Sequence, residues 1–306
     1  MQQVRVHSPA TVANVVCGFD CLGFALKDPF DEMTLRMIPE KAVRIVNHDR
    51  YGLPTDPEQN VAGVTLLAML ATADAEFGFE VEINKQIKPG SGIGSSSASA
   101  AGAAVAANRF FGDRFSKLEL VEFAMEGEKL ASGAKHADNV APCVFGGFTL
   151  IRSVDPLDVV CLASPPLYAA VLHPQIEVKT AEARAILPLN VPLRSAVKQW
   201  SNLGAFVSAL ATGDLGLLRR SMQDVIVEPV RRILIPHFDA VRDACLAAGA
   251  LGGGISGSGP SMFMLAETVE IADLVRNAME KSYAGTGIDF HTYVSTVGQQ
   301  GVRFVD

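Results

Sequence analysis

Lys88-Pro89-Gly90-Ser91-Gly92-Ile93-Gly94-Ser95-Ser96-Ser97-Ala98-Ser99 stands between an alternating segment and an Ala-rich run from Ala100 to Asn108. In the alternating segment Val81, Ile83 and Ile87 are set among Glu82, Asn84, Gln86 and Lys88, which predicts a half-buried strand. The Ala-rich run has strong helix formers and no proline, which predicts a helix. The glycines therefore lie between a strand and a helix start. Glycine lets backbone approach a ligand closely. The free N–H groups and positive dipole end of the helix favour an anion, so the stretch reads as a phosphate cradle.

Other readings of this loop fit less well. A Walker A loop would end in Gly-Lys-Ser/Thr, and no such ending follows Gly94. A dinucleotide fingerprint needs glycine where Ser95 stands and an acid closing a second strand about twenty residues on. Asp113 instead falls in the polar turn Gly112-Asp113-Arg114. A flexible Gly-Ser linker beside a closely packed Ala-Gly helix is the remaining, purely structural, alternative.

The 306 residues, 49% hydrophobic, suffice for two domains or one large one. A net charge of −7 with no block of Lys or Arg argues against a general nucleic-acid binder. Five scattered cysteines suit reduced thiols in the cytosol, and Cys17 and Cys21 read as small buried apolar residues. The chain opens on no signal-like segment, and no apolar run reaches about 18 residues, so a cytoplasmic protein with no membrane partner is expected.

Along the chain, Val4 to His7 starts a strand, and Ser8 to Asn14 leads into a turn at Cys17-Gly18-Phe19-Asp20. Met33 to Ile38 and Val43 to Val46 read as strands of a meander, and Asn60 precedes a helix over about Val61 to Phe77. Ser116-Lys117-Leu118-Glu119 is a capping box opening a helix that Gly133 ends. Glu128 lies late in that helix, where acids more often form a solvated face. The polar loop Gly133 to Pro142, with His136, Asp138 and Asn139, is a site candidate. A composition change near Pro156 to Pro166 marks a domain boundary. Beyond it, strands at Leu167 to Leu172, Ser261 to Leu265 and Phe290 to Val297 alternate with helices, pointing to an α+β second domain. A second glycine loop, Gly252 to Pro260, makes a ligand between two domains the favoured arrangement.

These residues carry a resemblance. Pro89 to Ala98 resembles the ATP-binding motif of the GHMP kinases, and Gly253 to Pro260 resembles their C-terminal glycine motif. Within that superfamily the chain is most similar to the homoserine kinase branch. Pro9-Ala10-Thr11 with Asn14, Gly18-Phe19-Asp20 and Leu22-Gly23 matches the first motif of that branch. His136, Asp138 to Pro142 and Gly146-Gly147 match its substrate loop, and Glu228-Pro229 with Arg231 and Leu234-Ile235-Pro236 match a further signature. One departure stands out: the family's first motif usually reads Asn-Leu-Gly-Pro-Gly-Phe-Asp, and here Asn14 is followed by Val15-Val16-Cys17.

The resemblance implies an α+β, two-domain GHMP-kinase-like fold. Residues 1–160 would form an ATP-binding α/β domain and residues 161–306 a ferredoxin-like α+β domain, commonly as a homodimer. It implies transfer of the ATP γ-phosphoryl group to the hydroxyl of L-homoserine, in threonine biosynthesis, with Mg²⁺ on Ser96 and Glu128. ATP would be held by Asn60, Lys88, Pro89, Gly90, Ser91, Gly92, Ile93, Gly94, Ser95, Ser96, Ser97, Ala98 and Ser99. Asn14, Asp20, His136, Asn139, Arg184, Arg231 and Gly254 would bind the amino acid. In this assignment Arg184 and Arg231 take its carboxylate and Asp20 its ammonium. Asn139, Thr180 and Glu128 would serve the transfer, with Asn139 standing where other members carry an aspartate base. The rival readings are a kinase of another small alcohol and a non-catalytic sensor that binds ATP and ligand.

Overall fold

The computed structural model describes residues 2–48, 50–133 and 135–305. Ala134, within the expected substrate loop, lies outside the described residues. The first sheet begins with β1 (Gln3–Ala13), β2 (Leu22–Ile38) and β3 (Val43–Asn47), followed by helix α1 (Val61–Ala73) and β4 (Gly78–Asn84). Helices α2 (Ser95–Phe110), α3 (Lys117–Ser132) and α4 (Val140–Phe145) come next, then β5 (Phe148–Val154) and β6 (Leu157–Leu162). The second half opens with β7 (Tyr168–Pro174), α5 (Thr180–Ala185), α6 (Leu193–Thr212), α7 (Leu215–Ser221), α8 (Glu228–Arg231) and α9 (Phe238–Ala247). It closes with β8 (Gly252–Ile255), β9 (Met262–Ala266), α10 (Val269–Ala284), β10 (Phe290–Thr296) and β11 (Arg303–Val305).

The first sheet has the order β11-β1-β2-β4-β3, with β5 and β6 continuing from the other half of β2. Its strands are antiparallel except β3 and β4, which run parallel with α1 as the crossover. The expected meander is corrected here: Leu22–Ile38 is one long strand, and β3 pairs with β4. The segment expected to lead into the turn at Cys17 to Asp20 is strand as far as Ala13, and the turn follows it. Pro9 is accommodated because the β1–β2 register shifts between Pro9 and Thr11.

The second sheet has the order β10-β7-β9-β8 and is antiparallel throughout, the split βαβ pattern of a ferredoxin-like domain. Alternation along β7 sends Ala169 and Val171 into the core shared with the first sheet, and Ala170 and Leu172 into a second core under α9 and α10. Phe24 bridges the sheets, 4.9 Å from Phe148 and 5.6 Å from Phe263 between ring centroids. Each fully buried phenylalanine there contributes roughly 1.5–3 kcal/mol.

The change of sheet falls between Leu162 and Tyr168, so position 160 lies within β6, and β11 carries the chain end back to the first sheet. Gly252 to Gly254, expected as loop, are strand. They pair antiparallel with β9, and glycine serves close approach there rather than a turn: a Cβ on Gly253 would sit 2.0 Å from the Phe263 carbonyl oxygen.

Helix α2 is buried almost all round, as its run of alanines requires, between the sheet and helices α1, α3 and α4. It starts earlier than propensity suggests, at Ser95, because Gly94 caps it at φ 72°. The Ser116 capping box and the Gly133 stop of α3 are formed as expected. Among the described residues no helix is long and apolar enough to cross a membrane.

Candidate active site

The two glycine loops meet. The Ser256 hydroxyl donates to the Gly92 carbonyl at 2.7 Å and the Ser261 hydroxyl to the Ser91 carbonyl at 2.6 Å. The second domain thus fixes the path of the first loop, which turns through positive φ at Gly90, Gly92 and Gly94 before α2 begins. At Gly94 no side chain fits: a Cβ would lie 2.0 Å from Thr11 Oγ1 and 3.1 Å from Asn139 Oδ1. The outcome is a helix N-terminus facing a cleft of about 320 Å³ between the two sheets.

Pro89, Gly90, Ser91, Gly92, Gly94, Ser95, Ser96, Ser99 and Asn60 line this cleft. So do Asn14, Asp20, Glu128, His136, Asn139, Thr180, Arg184 and Arg231. Ile93, Ala98, Ser97, Lys88 and Gly254 do not: the first two are core, and Ser97 donates to Glu128 Oε2 at 2.9 Å. Lys88 Nζ donates to Gln175 Oε1 at 2.8 Å, and Gly254 backs onto Glu228. Asn60 reaches the cleft with its amide already committed, accepting from the Ala62 and Gly63 N–H groups as the cap of α1 and donating to the Pro54 carbonyl.

Glu128 is buried and hydrogen-bonded by the Ser96 and Ser97 hydroxyls. Burial pushes its pKa up, against those bonds and the charge of Lys85. It is not the solvated face that helix position alone suggests.

At the opposite end Arg184 makes a two-pronged pair with Asp20, at 2.9 and 2.7 Å. Both side chains are more than a third exposed, so the pair is worth little and is easily parted. Asn14 sets Asp20 in place by accepting from its backbone N–H at 2.9 Å and donating to the Gly257 carbonyl at 2.7 Å. Phe19 is a platform for two guanidiniums, that of Arg231 at 5.0 Å and that of Arg184 at 5.3 Å.

Arg231 is 2% exposed and donates only to the carbonyls of Ala183 and Gly257; no carboxylate pairs with it among the described residues. Burial, and next the nearby charge of Arg184, lower its pKa. Thr180 and Ser258 hydroxyls stand 3.2 Å apart at the rim. Burial lowers the pKa of His136, so its imidazole is neutral at pH 7.

Asn139 joins the two ends. Its Oδ1 accepts from the Thr11 hydroxyl at 2.8 Å and lies against Gly94. Beside it Asp138 is buried at the cleft wall, and burial, then the Asp20 and Glu128 charges, raise its pKa to about 7.

Sequence reading missed Lys85, and read Thr11 only as a member of the first motif, with no role in the site. Lys85 lines the cleft, pairs with buried Asp31 and donates to the Ser99 hydroxyl at 2.9 Å. The signal was present: positions 81, 83, 85 and 87 share one face of the alternation, and a lysine among Val81, Ile83 and Ile87 is a charge pointing inward. Thr11 gave no such signal, because its role depends on a contact 128 residues away.

Fold and cleft together define a two-domain kinase with a glycine-rich phosphate loop, and comparison with known proteins agrees. The GHMP kinases N terminal domain matches residues 60–147, and the GHMP kinases C terminal domain matches residues 206–285. A homoserine kinase of Chloroherpeton thalassium is 42% identical over the full length of both chains. The crystal structure of homoserine kinase from Cytophaga hutchinsonii superposes with a TM-score of 0.96 at 49% identity, covering 100% of this chain and 98% of that one. The crystal structure of L. major mevalonate kinase in complex with R-mevalonate shares the fold, with a TM-score of 0.69 at 17% identity over 95% of each chain. The chain belongs to the homoserine kinase family of the GHMP kinases.

Proposed function

We propose that this protein is an ATP-dependent kinase that phosphorylates the side-chain hydroxyl of L-homoserine, giving O-phospho-L-homoserine and ADP. The observation that carries this is Arg231, a buried guanidinium on the cleft wall that lies over Phe19 and, among the described residues, is hydrogen-bonded to carbonyls and paired with no carboxylate. A charge so placed calls for an anion that can enter the cleft, and a guanidinium fork suits a carboxylate. Asp20 lies on the other side of Phe19 and suits an ammonium, so this end fits an amino acid.

Phosphoryl transfer asks mainly for positioning and for stabilisation of charge on the transferred group. The backbone N–H groups of residues 90–96 hold phosphate oxygens at the start of α2. Asn139, between that loop and the amino-acid end, orients the attacking hydroxyl. Arg184 leaves Asp20 to share the substrate carboxylate with Arg231, and Thr180 and His136 add hydrogen bonds.

Ser96 and Glu128 would hold Mg²⁺. They fit it, because a carboxylate and a hydroxyl are hard oxygen donors hydrogen-bonded together on the cleft wall. When bound, the ion supplies neutralisation of phosphate charge. The same reading places the enzyme in the cytoplasm, in threonine biosynthesis and as a homodimer.

The test is ADP release with a panel of L-homoserine, mevalonate, galactose and shikimate. The expected result is turnover with homoserine alone. Equal turnover with mevalonate or a sugar would favour a kinase of another small alcohol, and binding of ATP and homoserine without ADP release would favour a sensor.

A further inference from the structure

The loop that carries Phe19 and Asp20 starts with three consecutive residues at positive φ: Asn14 at 70°, Val15 at 37° and Val16 at 61°. The Gly18 N–H donates to the Asn14 carbonyl at 2.9 Å, closing one left-handed turn. Asparagine tolerates this region, but for a β-branched residue it is a steric outlier. Left-handed backbone crowds the Cβ of an L-residue, so two valines store strain that the surroundings must hold. Part of that restraint is burial, since Val15 is 0% and Val16 4% exposed.

The other part comes from α6. Gln199 Nε2 donates to the Cys17 carbonyl at 3.2 Å, inside the turned segment. Its Oε1 accepts from the Val225 backbone N–H at 2.9 Å. Val225 opens the short stretch leading into α8, where Asp224 accepts from the N–H groups of Ile226, Val227 and Glu228 and so fixes the approach to Arg231. One amide therefore ties the strained turn that presents Phe19 and Asp20 to the segment that presents Arg231. The Arg231 guanidinium and the Phe19 ring it covers come from these two tied segments.

We propose that Gln199 is a positioning residue for the amino-acid substrate: it holds the left-handed turn at residues 14–18 in register with α8, and so sets the spacing between Asp20 and Arg231. This rests on the homoserine reading above, and the wild-type enzyme separates the two. If wild type does not phosphorylate homoserine, that reading fails; if it does and the variants below behave like wild type, the inference about Gln199 fails.

In Gln199→Leu both amide bonds are lost. The KM for homoserine should rise roughly tenfold, the scale of two ordinary hydrogen bonds, while the KM for ATP stays within about twofold. Gln199→Glu keeps an acceptor for Val225 and sets a carboxylate oxygen against the Cys17 carbonyl. It should give the same split, and it carries the test if the leucine variant does not fold.

Strain is tested by repeating Gln199→Leu in a Val16→Gly background. Glycine takes positive φ freely, so the homoserine KM penalty for losing Gln199 should shrink at least about threefold there. Equal rises in both KM values overturn the proposal, as does a penalty of full size with glycine at position 16.

Discussion

At the phosphate end of the cleft, residues 89–96 form one continuous piece of backbone, fixed by hydroxyls from the second domain. At the other end, Asp20, His136, Arg184 and Arg231 arrive from four separate segments, with Asp20 paired to Arg184 and both guanidiniums set against Phe19. The first arrangement presents N–H groups and a helix dipole, which on the proposed reading take phosphate. The second presents charged side chains, which on that reading select the substrate. Under the proposal, phosphate binding rests on backbone, and specificity on side chains that only the complete fold brings together.

The comparison predicts that mutations will sort by end. The largest effect is expected at the phosphate end, from Glu128→Gln. Losing that carboxylate should lower kcat by about 100-fold or more, with at most partial recovery at high Mg²⁺. Steady-state turnover across a Mg²⁺ titration checks this, and near-normal activity at ordinary Mg²⁺ would make Glu128 a structural acid.

At the amino-acid end Arg231→Lys keeps the charge and loses the fork. The homoserine KM should rise about tenfold or more with the ATP KM little changed, the scale of a charge-assisted hydrogen bond. Arg184→Lys should do less, because Arg184 is exposed and gives up Asp20 in order to bind. Parallel rises in both Michaelis constants for Arg231→Lys would mean that the two ends are not separable.

The smallest effect concerns stability. Burial pushes the Glu228 carboxyl up to about 7, against its pairing with Arg242. A raised carboxyl means that the folded protein holds a proton the unfolded chain has released. Its contribution is therefore full below the unfolded pKa near 4.5 and is lost as pH rises through about 7. Asp138 acts in the same direction. Glu228→Gln should flatten the decline in Tm between roughly pH 5 and pH 8, read by thermal unfolding in a buffer series. An unchanged slope would show that Glu228 titrates normally.

The same contrast explains what could be read from the sequence. The glycine-rich loop, the capping box of α3 and the helices of the second half are local patterns, and local physics places them. The ferredoxin-like order of the second sheet followed from the alternation of strands and helices together with the family resemblance. The single long β2, the parallel β3–β4 pair and the return of β11 to the first sheet depend on pairing between distant segments, which periodicity does not encode. In the site, Asn139 and Arg231 were legible as motif members, and the Thr11–Asn139 contact was not. The Asp20–Arg184 pair was also invisible, since the sequence suggested that each bound substrate separately. Lys85 was readable in principle, as a charge on the apolar side of the alternation that continues past β4.

The central claim is that transfer here runs on positioning by Asn139, with no carboxylate acting as base. Two carboxyls could contradict it, Asp20 across the cleft and Asp138 beside Asn139 in the chain, and the latter has a pKa of about 7. The most direct measurement is kcat at saturating ATP and homoserine for Asn139→Leu, Asp20→Asn and Asp138→Asn, followed across pH. The account predicts that Asn139→Leu loses the most turnover, that Asp20→Asn chiefly raises the homoserine KM, and that Asp138→Asn keeps kcat within about tenfold of wild type. Loss of turnover in Asp138→Asn or Asp20→Asn with Asn139→Leu still active would contradict it, and the abolished variant would name the base.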